Sequence, residues 1–188
     1  DGGSKEAHVH LDNNGGGGTG HLTVNGNVIA TRAGGSKEVE FEIEGGGIMT
    51  VNGNLSLTCS GGSTDVQIEV TGTGRLNVNG NLNMSYTSGT GTVDVSFANN
   101  AIGDVSGNVV FVSNTQSKSV LTLSNDAFFY IGGNFSRTAS PNNYGKVSSN
   151  QSATIVYDGI TAQTFAEDAG AGTDGVNYVN VRIDNTFM

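Results

Sequence analysis

The side chains able to do chemistry in this 188-residue chain sit at alternate positions of three similar stretches. Glu40 and Glu42 alternate with Val39, Phe41 and Ile43; Glu69 follows in Val66-Gln67-Ile68-Glu69-Val70; Asp94 lies between Val93 and Val95. Upstream, His8 and His10 alternate in the same way. Period-two patterning puts one set on a core face and the other outward. Aligned, the outward residues form two files: His8, Glu40, Gln67, Asp94 and His10, Glu42, Glu69, Ser96, with Glu38, Glu44 and Asp65 flanking them. Like charges opposite one another on paired strands repel, so such a file needs solvent, a partner or a cation. Hard cations such as calcium take carboxylate oxygens, which makes Glu40, Glu42, Glu69 and Asp94 candidate metal ligands. The plain alternative is a solvated acidic face that keeps the molecule soluble. His8 and His10 could share a metal, with His21 elsewhere, but two histidines without a third converging ligand are a weak signal, and outward strand positions account for them.

Other chemistries find less support. Glu42 and Glu69 can be drawn as a hydrolase dyad, but a flat strand face offers no cleft. Arg32, Arg75, Arg137 and Arg182 fall at unrelated places in the repeat. Cys59 has no His–Asp set to activate it, and it shares its place with Arg32 and Tyr86, a column that reads as permissive. The outward files Thr31, Thr58, Ser85, Val112, Thr138 and Thr23, Thr50, Asn77, Asp104, Tyr130 lose the regular threonine that an ice-binding face requires. The expectation is a protein without catalytic residues or a resident cofactor.

The elements that position these residues are set by a repeat. Val24-Asn25-Gly26-Asn27 returns at Val51 and Val78 letter for letter, then as Val105-Ser106-Gly107-Asn108 and Ile131-Gly132-Gly133-Asn134. From Gly to Gly the steps are 27, 27, 27 and 26 residues, the signature of a repeat architecture. Gly20–Gly46 shows the unit: a strand at Leu22 and Val24, the Asn-Gly-Asn turn, a strand at Val28–Arg32, a turn, and a third strand at Glu38–Glu44. Gly and Asn at the turn suit left-handed backbone angles. Three short strands per coil predict an all-β parallel β-helix of about six coils, right-handed by the general chirality of parallel connections. Coils stacked at about 4.8 Å form a rod roughly 25–30 Å long. Its interior columns are Val24, Val51, Val78, Val105, Ile131; Val28, Leu55, Leu82, Val109, Phe135; and Ile43, Val70, Phe97, Leu123. Asn27, Asn54, Asn81, Asn108 and Asn134 hold one turn position throughout and predict an amide ladder, each side chain donating to the next. Asn54, Asn83, Asn134 and Asn150 also fall in glycosylation sequons; the turn accounts for the ladder members, and chance for the other two.

The expected coils are a partial one near 1–19, then 20–46, 47–73, 74–100, 101–126 and 127–159, with an irregular 160–188. The coil at 101–126 is one residue short, which turns Val120 outward. The next carries an insertion around Ser140–Gly145 and takes Ala153–Tyr157 as its last strand. Ala162–Phe165 reads as a short strand and Tyr178–Ile183 as the final one. Both termini read as mid-coil, which predicts neighbouring coils beyond them, because solenoids need their edges covered.

Composition narrows the setting. A formal charge of −9 with eight scattered Lys and Arg argues against nucleic acid, whose binders cluster positive charge. No apolar run is long enough to span a membrane, and the chain shows no signal peptide. One cysteine excludes an internal disulfide framework, and the absence of Trp excludes a Trp-stacked sugar site.

The stacked three-strand coil with an Asn ladder resembles the pectate-lyase-like right-handed β-helix. More specifically, Ala153-Thr154-Ile155-Val156-Tyr157-Asp158-Gly159, Ala162-Gln163-Thr164-Phe165 and Asn177–Asn185, together with the Val-x-Gly-Asn-Leu coils, resemble repeats of large secreted surface proteins of Bacteroidota-type bacteria. That resemblance implies an extracellular surface or adhesin-like role and export by a dedicated secretion system, not an enzyme. The resulting expectation is a non-catalytic stalk or fibre segment whose partners are like coils end to end. The alternative is an adhesin-type module recognising glycan or another surface, assisted by calcium.

Overall fold

The computed structural model describes residues 6–12, 20–115, 118–139, 146–150, 152–165, 176–177 and 180–186. Apolar residues at every second position, broken by polar corners, make the chain a run of short strands. These stack into three sheets, and every pairing is parallel. Sheet A holds β1 (Ala7–Leu11), β4 (Val39–Ile43), β7 (Val66–Val70), β10 (Val93–Phe97), β13 (Ser119–Leu123), β16 (Lys146–Ser149) and β18 (Val176–Asn177). Sheet B holds β2 (His21–Val24), β5 (Ile48–Val51), β8 (Arg75–Val78), β11 (Ile102–Val105), β14 (Phe128–Ile131), β17 (Thr154–Tyr157) and β19 (Asn180–Ile183). Sheet C holds β3 (Val28–Arg32), β6 (Leu55–Ser60), β9 (Leu82–Ser88), β12 (Val109–Ser113) and β15 (Phe135–Ala139). The chain visits B, C and A in turn and forms a β-solenoid with three strands per coil, as the repeat predicts, and five complete coils among the described residues where about six were expected.

The predicted columns are the observed register. Val24, Val51, Val78, Val105 and Ile131 pair in sequence along sheet B. Val28, Leu55, Leu82, Val109 and Phe135 do so along sheet C, and Ile43, Val70, Phe97 and Leu123 along sheet A. Apart from Val24 and Val28 in the first complete coil, these residues are buried and belong to one continuous core. No strand could hide its apolar face alone; each is covered by its neighbours above and below and by the other two sheets across the interior. Val120 faces outward beside Asp94, as the shortened coil predicts.

One column is filled by compensation. In the row Leu22, Met49, Leu76, Gly103, Phe129 the fourth place has no side chain. The rings of Phe97 and Phe129 occupy the space, their centroids 5.3 Å apart. A Cβ on Gly103 would lie 2.5 Å from Phe129 and 2.6 Å from Phe97.

Three expectations need correction. First, the third strand of the fifth coil is β16, Lys146–Ser149, and Thr154–Tyr157 begins the following coil in sheet B. The coil expected at 127–159 therefore closes earlier and has no insertion: partners from β11 to β14 and from β14 to β17 keep a constant 26-residue step. The apolar run at 153–157 attracted the assignment, whereas β16 announces itself inward only with Val147 and Ser149, both buried. Second, 162–165 forms no strand, although Thr164 N–H donates to Asn134 Oδ1 at 2.8 Å and Phe135 N–H to the Thr164 carbonyl at 3.0 Å. Third, no residue of the Asn-Gly-Asn turns has a positive φ. Left-handed backbone sits instead at the other two corners: Gly45, Gly46 and Gly72, then Asn99, Asn100, Asn125 and Asp126, from sheet A to sheet B, and Gly35, Gly62 and Gly89 from sheet C to sheet A.

The Asn-Gly-Asn glycines answer to a different constraint. A Cβ on Gly53 would lie 2.4 Å from Asn27 Oδ1 and 2.8 Å from the Gly26 backbone; Gly80, Gly107 and Gly133 meet the coil before them in the same way. Close approach between coils, not backbone angle, requires glycine there.

Candidate functional site

Sheet A presents the predicted files on its outer face. His8, Glu40, Gln67 and Asp94 are register partners on β1, β4, β7 and β10, and so are His10, Glu42, Glu69 and Ser96. Period-two alternation leaves these side chains outside while Phe41, Ile68 and Val95 point inward.

The imidazoles and carboxylates of the first two strands converge. His8 Nε2 lies 3.2 Å from Glu42 Oε2 and 4.0 Å from Glu40; His10 Nε2 lies 3.5 Å from Glu44 and 3.9 Å from Glu42. The two rings stack with centroids 5.9 Å apart. Glu6, His8 and Glu40 form one group whose ligand atoms all lie within 4.8 Å of one another, and His10, Glu42 and Glu44 form another. Gln67 Nε2 donates to Glu40 Oε1 at 2.6 Å, fixing the carboxylate from the opposite side. A mixed nitrogen and oxygen donor set suits zinc-class ions better than calcium, which prefers oxygen alone.

The other two candidate ligands lie apart from these groups. Glu69 pairs with Glu42 across the sheet. Partial burial raises its pKa first, and the negative charges of Glu42, Glu40 and Glu44 add to that. Asp94 sits one strand further, between Gln67 and the apolar Val120. Its Oδ1 is buried and without a hydrogen-bond partner. Burial, with Asp65 and then Glu69 adding like charge, pushes Asp94 up to about 6. Asp94 is thus a proton-accepting group rather than part of the histidine-bearing clusters.

The Asn turn carries a ladder, though not by amide-to-amide donation. Oδ1 of Asn27 accepts the backbone N–H of Asn54 at 2.8 Å, and the contact repeats from Asn54 to Asn81, Asn81 to Asn108 and Asn108 to Asn134. Each side chain thereby satisfies a corner N–H that faces no strand. True amide stacking occurs two residues earlier, where Asn52 Nδ2 donates to Asn25 Oδ1 at 2.9 Å and Asn79 Nδ2 to Asn52 Oδ1 at 2.8 Å. A third ladder joins Asn99, Asn125 and Asn150 at the corner between sheets A and B. Sequence reasoning missed both of these. The first was legible in the other Asn of each Val-Asn-Gly-Asn, and the second gives Asn150 a structural role where chance had been expected.

The column of Arg32, Cys59, Tyr86 and Ser113 is not permissive. All four are buried, and each polar tip reaches the carbonyls of the turn that follows it: Arg32 to Gly35 and Lys37, Cys59 to Gly61, Tyr86 to Gly89, Ser113 to Thr115. The common requirement is a donor, which Arg, Cys, Tyr and Ser all supply. The two threonine-bearing files prove to lie on different sheets, Thr31 on sheet C and Thr23 on sheet B, so they form no common plane.

Among the described residues no helix is long and apolar enough to cross a membrane. No family model, curated protein or solved structure matches this chain.

Proposed function

We propose that the chain is a non-catalytic structural segment, a stalk or fibre element of an extracellular bacterial surface protein. The observation that carries the reading is the parallel stacking of equivalent strands through five coils, interrupted only by a one-residue shift after Cys59 among the described residues. Interior columns and Asn ladders both run along the axis, so each coil is held to the next by side chains as well as by sheet hydrogen bonds. Stiffness along one axis is what such a build supplies. Because every coil repeats the backbone pattern of its neighbour, the partners in this role are like coils of the same or another chain, and such a heterologous contact propagates without closing. The resemblance of the coils to Bacteroidota-type surface proteins supports the extracellular setting.

Electron microscopy of the purified chain at neutral pH, with calcium and with chelator, tests the reading. End-to-end rods or fibres are expected; dispersed single particles in both conditions would sink self-assembly.

A second reading, an adhesin-type module that binds glycan or another surface, is favoured by the His8, His10, Glu40, Glu42 and Glu44 cluster. Calorimetric titration with zinc and with calcium probes it. Micromolar heat that disappears in the His10→Ala variant supports a metal-assisted face, and silence with both ions removes that support.

A further inference from the structure

The triple occurrence of Val-Asn-Gly-Asn has a chemical consequence that differs between copies. In an Asn-Gly pair the glycine nitrogen can attack the Asn side-chain carbonyl carbon. The N–Cγ bond forms, the Cγ–Nδ2 bond breaks and ammonia leaves with the glycine amide proton. Water then opens the resulting succinimide to aspartate or isoaspartate. The step requires a free glycine N–H and an Asn side chain able to rotate onto it.

At Asn52 neither condition is met. Gly53 N–H donates to the Gly26 carbonyl at 3.1 Å, Asn52 Oδ1 accepts from Asn79, and its Nδ2 donates to Asn25. At Asn79 the nucleophile is held in the same way, Gly80 N–H donating to the Gly53 carbonyl at 3.1 Å, and Nδ2 is committed to Asn52. Asn25 differs. Gly26 N–H has no backbone partner among the described residues, and a Cβ on Gly26 would meet nothing within 4 Å. Asn25 and Gly26 are both exposed, and of the Asn25 side chain only Oδ1 is engaged, accepting from Asn52 Nδ2.

We propose that Asn25 is the deamidation site among these three turns, and that stacking of one coil on the next shields Asn52 and Asn79 from the same reaction. The ladder is then a chemical protection as well as a structural one. Conversion of Asn25 adds a negative charge at the turn, and isoaspartate adds a backbone methylene there, while the oxygen that receives Asn52 Nδ2 is retained in either product.

The three tetrapeptides are identical, so their intrinsic reactivities match and any difference is set by the fold. The intact chain, diluted until it sediments as single particles so that no end-to-end contact covers Gly26, is incubated at mildly alkaline pH and body temperature, and tandem mass spectrometry then locates each gain of one mass unit. Asn14-Gly15, outside the described residues, is resolved in the same spectra and left out of the comparison. Asn25 is expected to react about tenfold or more faster than Asn52 and Asn79, since these two must first break at least two hydrogen bonds by local opening. In concentrated guanidinium the three rates converge. Equal native rates, or faster reaction at Asn52 or Asn79, overturn the proposal, as does a threefold difference that persists after unfolding.

Discussion

Gly26 and Gly53 are the same residue in the same motif, yet they face opposite constraints. A methyl group on Gly53 enters the Asn27 amide and the Gly26 backbone, while one on Gly26 meets open space. Neither glycine has a positive φ, so conformational strain does not separate them. Gly53→Ala is expected to cost about 1–3 kcal/mol, the range for overpacking, which lowers the melting temperature by roughly 2–4 °C per kcal/mol in a chain of this size. Gly26→Ala should stay within about 0.5 kcal/mol of the parent. Equal melting temperatures for the two variants would contradict the close-approach account. Asp94 gives a pH prediction at the same scale. Its folded-state pKa of about 6 lies above the ordinary 3.8, so between these values the folded chain keeps a proton that the unfolded chain has lost. Below about pH 4 both states are protonated; stability then falls as pH rises through the window, by about 1–3 kcal/mol in all. Glu69 shifts in the same direction. Asp94→Asn should flatten most of this slope in denaturant titrations at pH values between 4 and 7, and an unchanged slope would assign the burden to other groups.

At the scale of the strand, the solenoid tolerates an empty place only where a neighbour fills it. Gly103 is inward-facing and bounded by Phe97 and Phe129. Gly103→Ala is expected to destabilise by about 1–3 kcal/mol through forced ring displacement. Combining it with Phe129→Leu should cost less than the sum of the single changes, because the smaller side chain vacates the contested volume. Strict additivity in a double-mutant cycle would show that the two residues do not share that space. The Asn ladder belongs to the corner between strands rather than to any strand. Asn81→Ala removes the acceptor of Asn108 N–H and is expected to cost about 1–3 kcal/mol, the penalty for an unsatisfied partly buried donor. Hydrogen exchange should quicken at Asn108 specifically.

For the molecule as a whole, the three corners of the coil are unequal. The corner from sheet B to sheet C is always three residues, at 25–27, 52–54, 79–81, 106–108 and 132–134. The corner from sheet A to sheet B is four residues in each complete coil, beginning at 44–47 and 71–74. The change of period from 27 to 26 is absorbed at the remaining corner, where Val109 to Ser119 is one residue shorter than Leu82 to Val93. The first corner cannot lengthen because its glycines touch the coil before and its Asn residues bond to it. A Gly-Ser pair inserted at the remaining corner between Ser63 and Thr64, where Ser63 is exposed, should therefore cost about 1 kcal/mol or less, as surface loop extensions do. The same pair between Asn79 and Gly80 should abolish the cooperative transition or lower stability by more than about 3 kcal/mol. Similar thermal melts for both insertions would show that the corners are interchangeable.

Much of this architecture was legible in the chain alone, because a solenoid writes its contacts at a fixed sequence distance. Once Val24, Val51 and Val78 are aligned, the interior columns, the outward files on sheet A and the outward turn of Val120 follow from period-two alternation, with no knowledge of tertiary packing. That legibility failed where side-chain type stopped announcing direction. Ser149 faces the core and Lys146 begins the strand, so β16 was hidden behind the more apolar 153–157. Arg32 and Ser113 are buried because each supplies a donor to the turn carbonyls after it, a requirement that polarity in the sequence conceals. Only the stacked structure decided why glycine recurs in Asn-Gly-Asn, which asparagine bonds to amide and which to backbone, and that His8 and His10 gather Glu40, Glu42 and Glu44 while Asp94 is left against Val120. These depend on distances between coils and on which atoms water can reach, and both are set by the packed chain rather than by the order of its residues.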